Sequence, residues 1–305
     1  MSKLLIGVVT VSYNSAAFLN EFVASCAAQD RSDFKIYCID NNSGDDTPDL
    51  LRSICDPRWV VTLNNNNVGV AEGNNQGIIQ ALKDGCEWIL LLNNDTSFPP
   101  DFISQLFASC VNKGWRVGVP KIHFDSPAGH IWYGGGGFNR KKGHTGYHIG
   151  IGEPDHGQFD SVTTVDYSPT CAMLVHRSVF NDIGLMDESY FVYFDDTDFC
   201  WRLKQAGISI GYTPATSLVH KVGGSTGGTQ SPFTARMTSR NRLYYLKKNF
   251  GVLCACFWMP VFLLYYLGQF MAKRNFACLK ASFKGTFEYN QMVQREPRVP
   301  KQIIS

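Results

Sequence analysis

The stretch that decides the fold is residues 89–98, ILLLNNDTSF. Residues 89–92 are apolar without interruption, and the polarity changes abruptly at Asn93. A short apolar run without alternation indicates a strand that is buried on both faces, as in a parallel sheet under helices. Ligands of open α/β sheets bind at the carboxyl ends of such strands. The stretch therefore predicts a central strand whose polar end, residues 93–96, lies in a ligand-binding site.

Length and composition indicate a globular protein of low charge. The 305 residues are enough for one large α/β domain, or for one domain with a C-terminal appendage. The net charge of +2 argues against general nucleic-acid binding. The 10 cysteines form no CxxC pattern, which is typical of reduced core thiols in a cytosolic protein. The N-terminus lacks a signal-peptide cleavage pattern, so we expect a cytoplasmic location.

Strands and helices are predicted to alternate through the first part of the chain. The predicted strands are 4–11, 34–40, 59–63 and 86–92, and the predicted helices are 16–29, 45–54 and 71–83. This alternation predicts an α/β fold with a mostly parallel, Rossmann-like sheet flanked by helices. Each strand is followed by Asn, Asp or Ser. One explanation is that these residues simply begin turns and cap helices. Because all four ends carry them, we interpret this rim as a ligand site.

The second half is predicted to be less regular. Predicted strands lie at 115–120, 170–176, 208–212 and 217–220, and predicted helices at 101–112, 178–183 and about 195–206. Residues 123–160 contain a glycine run and five histidines, and we expect an irregular or β-rich surface in which His130, His144, His148 and His156 are solvated. Residues 223–231, GGSTGGTQS, are expected to form a flexible loop.

The C-terminal part is apolar, aromatic and basic. After a predicted helix at 236–250, residues 252–270 carry no charge, and residues 240–301 hold 11 Lys or Arg against 2 Glu. This pattern favours a helical segment that lies on an anionic membrane surface. The alternative is a helical hairpin that packs on the domain or forms a homodimer interface.

Three groups of side chains have the chemistry for a metal and an acid–base site. Asp95 and Asn93 offer the oxygen ligands that Mg²⁺ or Mn²⁺ takes together with phosphate oxygens. Carboxylates at 195, 196 and 198 crowd a predicted helix start, where they could tune a general base or only cap the helix. Arg202, about two turns further, could pair with a carboxylate or reach phosphate. His220 could complete the metal site or be structural.

Six motifs occur in a fixed order along the chain. They are VVTVSYNS (8–15), IDNNSGDDT (39–47), NNNNVGVAEGNNQGI (64–78), LLLNNDTSF (90–98), YFDDTDFCWRLKQAG (193–207) and LVHKVGGST (218–226). In this order they resemble the family 2 glycosyltransferases, which have the GT-A fold, and most of all the rhamnosyltransferase-like enzymes of bacterial polysaccharides. The resemblance covers roughly residues 4–250. It implies a catalytic domain over 1–235, with a nucleotide-binding half at about 1–98 and an acceptor half at 99–235. A helical, membrane-associated segment would follow at 236–305.

The resemblance implies roles for the polar residues at the strand ends. The residues expected to hold the base and ribose are Val11, Ser12, Tyr13, Asp40 and Asn42. The other residues expected to bind the nucleotide-sugar are Asn67, Gly69, Asn74, Asn94 and, by its placement on the helix, Arg202.

The resemblance also assigns the catalytic and metal-binding residues. Asn93 and Asp95 stand at the acidic positions of the family's DxD motif, and His220 stands where some members have a third metal ligand. Asp196 matches the catalytic base, and Asp195 stands where Glu is usual. Asn93 in place of the first Asp lowers the negative charge of the metal site.

The function implied is that of an inverting, metal-dependent glycosyltransferase. It would move a sugar from a UDP- or dTDP-sugar to a hydroxyl of a glycan or lipid-linked glycan, on the inner face of the cytoplasmic membrane, in surface polysaccharide assembly such as that of O-antigen. One alternative is a nucleotidyltransferase, which should show a Gly-rich basic phosphate loop where this chain has SYNS. Another is a non-catalytic membrane-bound scaffold, which only the Asn93 departure favours.

Overall fold

The fold is built on a mixed sheet whose central strands are parallel. The computed structural model describes residues 6–221, 231–293 and 298–299. In the first part of the chain the strands are β1 (Ile6–Ser12), β2 (Phe34–Asp40), β3 (Trp59–Leu63), β4 (Trp88–Leu92) and β5 (Thr96–Ser97). The helices between and after them are α1 (Ala16–Ala27), α2 (Thr47–Arg52), α3 (Val70–Lys83) and α4 (Phe102–Lys113).

The second part adds strands to the same sheet and ends in three helices. The strands are β6 (Val117–Phe124), β7 (Ile131–Tyr133), β8 (Gly136–Asn139), β9 (Thr145–His148), β10 (Thr163–Val165), β11 (Ala172–His176) and β12 (Ile210–His220). The helices are α5 (Arg177–Ile183), α6 (Asp195–Gln205), α7 (Pro232–Phe250), α8 (Val252–Ala272) and α9 (Phe276–Glu288).

The order of strands confirms the predicted mostly parallel sheet flanked by helices. Along the main path the order is β10-β12-β6-β11-β4-β1-β2-β3. The strands β4, β1, β2 and β3 are parallel, while β11 is antiparallel to both of its neighbours, β4 and β6. β4 is buried over its whole length, as its uninterrupted apolar sequence requires.

One expectation for the second half needs correction. The strands expected at 208–212 and 217–220 are one strand, β12, whose pairing with β6 shifts register between Thr213 and Ser217. The irregularity hides the continuity, because the apolar pattern is interrupted where the register shifts. Residues 123–160 hold β7, β8 and β9, with β8 and β9 forming a separate two-stranded sheet. The loop expected at 223–231 lies outside the described residues except for Ser231.

The three C-terminal helices pack on the sheet domain through α7. Leu243, Tyr244 and Tyr245 of α7 are buried in one cluster with Tyr190 and Trp201. α8 is more exposed than α7. It has 21 residues, and its most apolar stretch of 18 residues has a mean hydropathy of 1.6 and is only 17% buried. Within the described residues it is the one helix long and apolar enough, by length and composition alone, to cross a membrane.

Close packing of α3 on β1 sets the shape of the polar strand ends and gives a first prediction. In Gly77→Ala the new methyl group would lie 2.5 Å from Val9 Cγ1. We expect the variant to be destabilised by about 1–3 kcal/mol, because overpacking outweighs the gain in helix propensity. The control is Gly268→Ala, another helical glycine, with nothing within 4 Å. Thermal unfolding should show a lower midpoint for the first variant only, and equal midpoints would contradict the packing argument.

Candidate active site

A cavity of about 820 Å³ lies at the carboxyl ends of β1 and β4. Its walls come from both halves of the domain, including the start of α3, the turn before α6 and the start of α7. The predicted site residues that line it are Val11, Tyr13, Asn67, Gly69, Asn74, Asn93, Asn94, Asp95, Asp195, Asp196 and His220. The structure therefore brings most of the sequence-predicted residues to one site.

One end of the cavity pairs a carboxylate with an imidazole. β5 pairs antiparallel with β12, which aligns Thr96 with His220. This pairing places His220 Nε2 3.2 Å from Asp95 Oδ1. Lys221 N donates to the Asp95 carbonyl at 2.9 Å, which fixes the backbone beside the pair. The two side chains are thus close enough to bind one ion together.

The electrostatics of this pair are those of a buried ionic site. Burial lowers the pKa of His220, but Cys171 and Asp95 beside it raise it more, to about 10, so the imidazole must release a proton before its nitrogen can bind a metal ion. His220 Nδ1 and Asn94 Nδ2 are buried without a hydrogen-bond partner among the residues that the structure describes. Buried polar atoms of this kind normally have a partner, so the site is incomplete without a bound group.

The donor atoms fit a divalent cation that keeps other ligands. Carboxylate and amide oxygens with one imidazole nitrogen suit Mg²⁺ or Mn²⁺. Across residues 6–221, 231–293 and 298–299 there is no cluster of three or more His, Cys, Asp or Glu side chains that could hold a metal ion. Asp95, His220 and Asn93 would therefore need water or phosphate oxygens to complete the coordination.

Another part of the cavity wall carries two carboxyl groups at the start of α6, the buried Asp195 and the half-buried Asp196. Asp196 Oδ2 accepts a hydrogen bond from Tyr167 Oη at 2.9 Å, and Oδ1 accepts one from Thr197 N at 2.6 Å. Burial raises the pKa of Asp196, although both of these hydrogen bonds act to lower it. Burial and the neighbouring Asp196 raise the pKa of Asp195 to about 8. The pair is therefore more basic than an exposed carboxylate.

The third carboxylate of this helix has a structural environment. Burial acts to raise the pKa of Asp198, but Arg202 and Lys248 outweigh it and the pKa is lowered. Arg202 Nε and Lys248 Nζ each lie 2.9 Å from Asp198 Oδ2. Arg202 also donates to the carbonyls of Ile183 and Leu185. Of the two roles expected of Arg202, the structure shows the pairing with a carboxylate, and Arg202 does not line the cavity.

Three other predicted residues do not line the cavity. Ser12 Oγ donates to Asp40 Oδ1 at 2.9 Å, and the amide of Ser43 donates to Asp40 Oδ2 at 3.0 Å. Asn42 is exposed in the turn between them. Ser12 and Asp40 thus brace the ends of β1 and β2 against each other, and the expected contacts of Ser12, Asp40 and Asn42 with a base and ribose stay a prediction.

Sequence reasoning missed Asn41, Trp132 and Phe233. Asn41 lines the cavity, and its Nδ2 donates to the Gly69 carbonyl at 2.9 Å. Trp132 and Phe233 also line the cavity and were not expected there. Phe191 and Tyr193, which the sequence offered as an apolar wall for a sugar ring just before the carboxylates, line it as well. The string IDNNS offered Asn41 and Asn42 equally, and only the fold distinguishes them.

The expectation that the histidines of residues 123–160 are solvated is wrong for two of them. His148 packs against Trp132 and Tyr133, with ring centroids 4.7 and 5.3 Å away, and its Nδ1 lies 2.9 Å from the Trp132 carbonyl. His144 stacks on Phe250 with ring centroids 4.1 Å apart. A signal was present in the glycine run at 134–137, because glycines inside strands often mark close packing.

Comparison with known proteins gives the same picture at low identity. A model of the family described as glycosyl transferase family 2 matches residues 7–184. The hexosyltransferase Agl10 of low-salt glycan biosynthesis in Haloferax volcanii is 25% identical over 186 residues, 58% of this chain and 56% of that protein. The dTDP-rhamnosyl transferase RfbF of Shigella flexneri is 28% identical over 190 residues, 60% of this chain and 61% of that protein. The chain thus spans less than two thirds of these two relatives.

A third relative aligns over nearly the whole chain. The N-acetylglucosaminyl-diphospho-decaprenol L-rhamnosyltransferase of Mycobacterium tuberculosis is 24% identical over 302 residues, 91% of this chain and 94% of that protein. Among solved structures, GalNAc-T7 with UDP, GalNAc and Mn²⁺ superposes with a TM-score of 0.64 at 14% identity, covering 96% of this chain and 57% of that one. S. aureus TarS 1–349 with UDP-GlcNAc gives 0.57 at 13% identity, covering 94% and 92%. These likenesses confirm the expected GT-A fold.

The raised pKa of Asp195 predicts a pH-dependent cost to stability. Between pH 4 and pH 8 the unfolded chain loses this proton while the folded protein keeps it, so stability falls as pH rises. Asp195→Asn mimics the neutral acid and should be more stable than the parent at pH 8, by on the order of 2–5 kcal/mol, but not at pH 4. Denaturant unfolding at both pH values measures this. Asp101→Asn, at an exposed carboxylate, is the control. A pH-independent difference for Asp195→Asn would contradict the assignment.

Proposed function

The chain belongs to glycosyl transferase family 2, and we propose that it transfers a sugar from a nucleotide diphosphate sugar to an acceptor hydroxyl with inversion at the anomeric carbon. One observation carries the proposal. The same cavity is lined by Asp95 with His220, whose donor atoms suit a bound cation, and by the neighbouring carboxyl groups of Asp195 and Asp196. A group that neutralises a leaving diphosphate and a group that accepts the acceptor's proton are the two requirements of this reaction.

The donor would occupy the part of the cavity beside β1 and α3. Val11, Tyr13, Asn67, Gly69 and Asn74 line this side with small polar and apolar surfaces that suit a base and ribose. One relative is named a dTDP-rhamnosyl transferase, and one structural neighbour contains UDP-GlcNAc. We therefore propose a UDP- or dTDP-linked hexose or deoxyhexose as the donor.

In the proposed mechanism Asp196 is the general base. Tyr167 and Thr197 fix its carboxylate in the wall of the cavity, and burial raises its pKa, so it is a stronger acceptor for the proton of the attacking hydroxyl. The chemistry that a divalent cation supplies when held by Asp95, His220 and Asn93 is neutralisation of the charge on the leaving diphosphate. The attacking oxygen forms its bond to the anomeric carbon as the bond to the diphosphate breaks.

The proposed function predicts that Asp196→Asn loses transfer but not donor binding. Removing a general base should lower turnover by roughly 10²–10⁴-fold, because the amide cannot accept the proton. UDP and dTDP affinity, measured by calorimetry, should stay within a few fold. Asp101→Asn should keep full turnover. The assay is a panel of UDP- and dTDP-sugars with Mg²⁺, Mn²⁺ or EDTA, with products identified by mass spectrometry and anomeric configuration by NMR.

Three results would count against this assignment. Unchanged turnover of Asp196→Asn would remove Asp196 as the base. Release of pyrophosphate from UTP and a sugar phosphate would favour a nucleotidyltransferase. Failure of the parent protein to transfer or hydrolyse any donor would favour a scaffold.

A second part of the proposal concerns the acceptor and the membrane. α8 exposes a row of large apolar residues, with Leu253 at 86%, Phe257 at 68% and Leu264 at 69% exposure. The exposed basic residues at its end and on α9 are Lys273, Arg274, Lys280 and Lys284. An apolar face bordered by cations suits the surface of an anionic membrane. We propose that the protein lies on the inner face of the cytoplasmic membrane and acts on a lipid-linked glycan.

The membrane proposal predicts loss of vesicle binding when the apolar face of α8 is made polar. The variant Leu253→Ser with Phe257→Ser and Leu264→Ser should bind phosphatidylglycerol vesicles at least about tenfold more weakly, because each side chain contributes roughly 1.5–3 kcal/mol when fully buried. The control is Val111→Ser, at an exposed apolar residue of α4. Vesicle co-sedimentation and light scattering are the measurements. Unchanged vesicle binding with conversion of a dimer to a monomer would show a homodimer interface instead.

A further inference from the structure

The turn that precedes the buried carboxylates has an unusual backbone. Three residues of this turn have positive φ angles: 65° at Phe191, 66° at Tyr193 and 67° at Phe194. Residues other than glycine rarely adopt such angles. Asp195 follows directly, and Phe191 and Tyr193 themselves line the cavity. A non-glycine turn in this conformation persists only when its surroundings hold it. The question is therefore which groups hold this turn.

The side chain of Asn241 on α7 supplies the main restraint. Asn241 is fully buried, and its Nδ2 lies 2.9, 2.8 and 2.9 Å from the carbonyl oxygens of Tyr190, Val192 and Tyr193. Its two N–H bonds are thus shared among three carbonyls of the turn. Backbone carbonyls of such a turn cannot bond to one another, so a buried donor from elsewhere is required.

The orientation of this amide is fixed by its neighbour. Arg240 Nε donates to Asn241 Oδ1 at 2.8 Å, so the amide nitrogen must face the turn. Arg240 Nη2 also donates to the Tyr190 carbonyl at 2.9 Å. The two residues therefore act as one clamp, with every polar atom of the Asn241 side chain used.

The opposite side of the turn rests on the nucleotide-binding part of the cavity. Val70 N at the start of α3 donates to the Phe191 carbonyl. A Cβ atom at Gly69 would lie 2.5 Å from the same carbonyl oxygen, so the two segments are in direct contact. The turn is held between α3 and α7, and any shift of it moves Asp195 and Asp196 relative to the donor.

We propose that Asn241 is a positioning residue for the sugar transfer, acting through the 190–194 turn to aim Asp195 and Asp196 into the cavity. The proposal rests on the proposed function, since it assigns a purpose to the same site. Asn241 does not line the cavity and contacts no substrate; its effect is on the placement of the carboxylates. A misplacement of about 1 Å in reacting groups can lower turnover by roughly 100-fold.

The test is Asn241→Leu, which keeps the size of the side chain and removes its donors. We expect kcat to fall by roughly 10- to 100-fold. The KM for the donor found in the panel and the Kd for UDP or dTDP should stay within about threefold, because α3 and β1 are unchanged. Asn241→Asp is the second variant, since it has the same shape but turns a carboxylate toward three carbonyls, and the same loss of kcat is expected.

The matched control is Ser239→Ala on the same helix. Ser239 is equally buried, but its hydroxyl donates only within α7, to the Ala235 and Arg236 carbonyls. Its kcat should equal that of the parent protein. Amide hydrogen exchange gives a readout that does not depend on activity: residues 190–196 should exchange faster in Asn241→Leu and not in Ser239→Ala.

The outcomes separate this proposal from the proposed function. Parent-level kcat, or unchanged exchange at residues 190–196, in Asn241→Leu would overturn the positioning role. Loss of nucleotide binding together with turnover in both Asn241 variants, including through misfolding, would show that Asn241 supports the whole fold, and would also overturn it. Absence of transfer by the parent protein would overturn the proposed function, while the exchange result would still decide whether Asn241 holds the turn.

Discussion

The contact on which the cavity depends is the short pairing of β5 with β12. The chain turns sharply after β4, where the Thr96 hydroxyl donates to the Asn93 carbonyl at 2.6 Å. Thr96 and Ser97 then form β5, which pairs with the end of β12. Without this pairing Asp95 and His220 would lie far apart, since β4 and β12 are separated in the sheet by β11 and β6. One two-residue strand thus joins the part of the chain that ends in β4 to the later part that carries the carboxylates.

The carboxylates at the start of α6 show how one short sequence supplies two kinds of chemistry. Asp195 is buried and Asp196 half-buried beside the cavity, and burial raises the pKa of both. Asp198 is also buried, but Arg202 and Lys248 lower its pKa and tie α6 to α7. The uncompensated pair costs stability at neutral pH and the compensated group restores part of it, as is common where a site is kept basic for function.

The sequence predicted the parts of this molecule that depend on local pattern. The apolar run of β4, the alternation of strands and helices, and the polar strand ends are properties of neighbouring residues, and they led to Asp95, Asp196 and His220 in one cavity. The partners of side chains depend on tertiary packing and were missed. The sequence placed Arg202 on a helix face. It did not show that the guanidinium pairs with Asp198, because the carbonyls of residues 183 and 185 that hold it there come from another segment. Asp40 was expected in the nucleotide pocket, yet Ser12 and Ser43 use its oxygens. Asn241 gave no signal, because its partners are carbonyls of a turn whose conformation no motif reveals.

The close approach of α9 to α7 has a consequence for engineering this enzyme. A Cβ atom at Gly285 would lie 2.2 Å from the Arg236 carbonyl, so the two helices touch backbone to backbone. α9 covers the same helix that carries Asn241, and shortening the chain to gain solubility would uncover that helix. A better way to raise solubility is to replace the exposed apolar residues of α8 by polar residues and to keep every helix. The apolar C-terminal helices and the 190–194 turn are therefore coupled through α7, and a change to one of them affects the other.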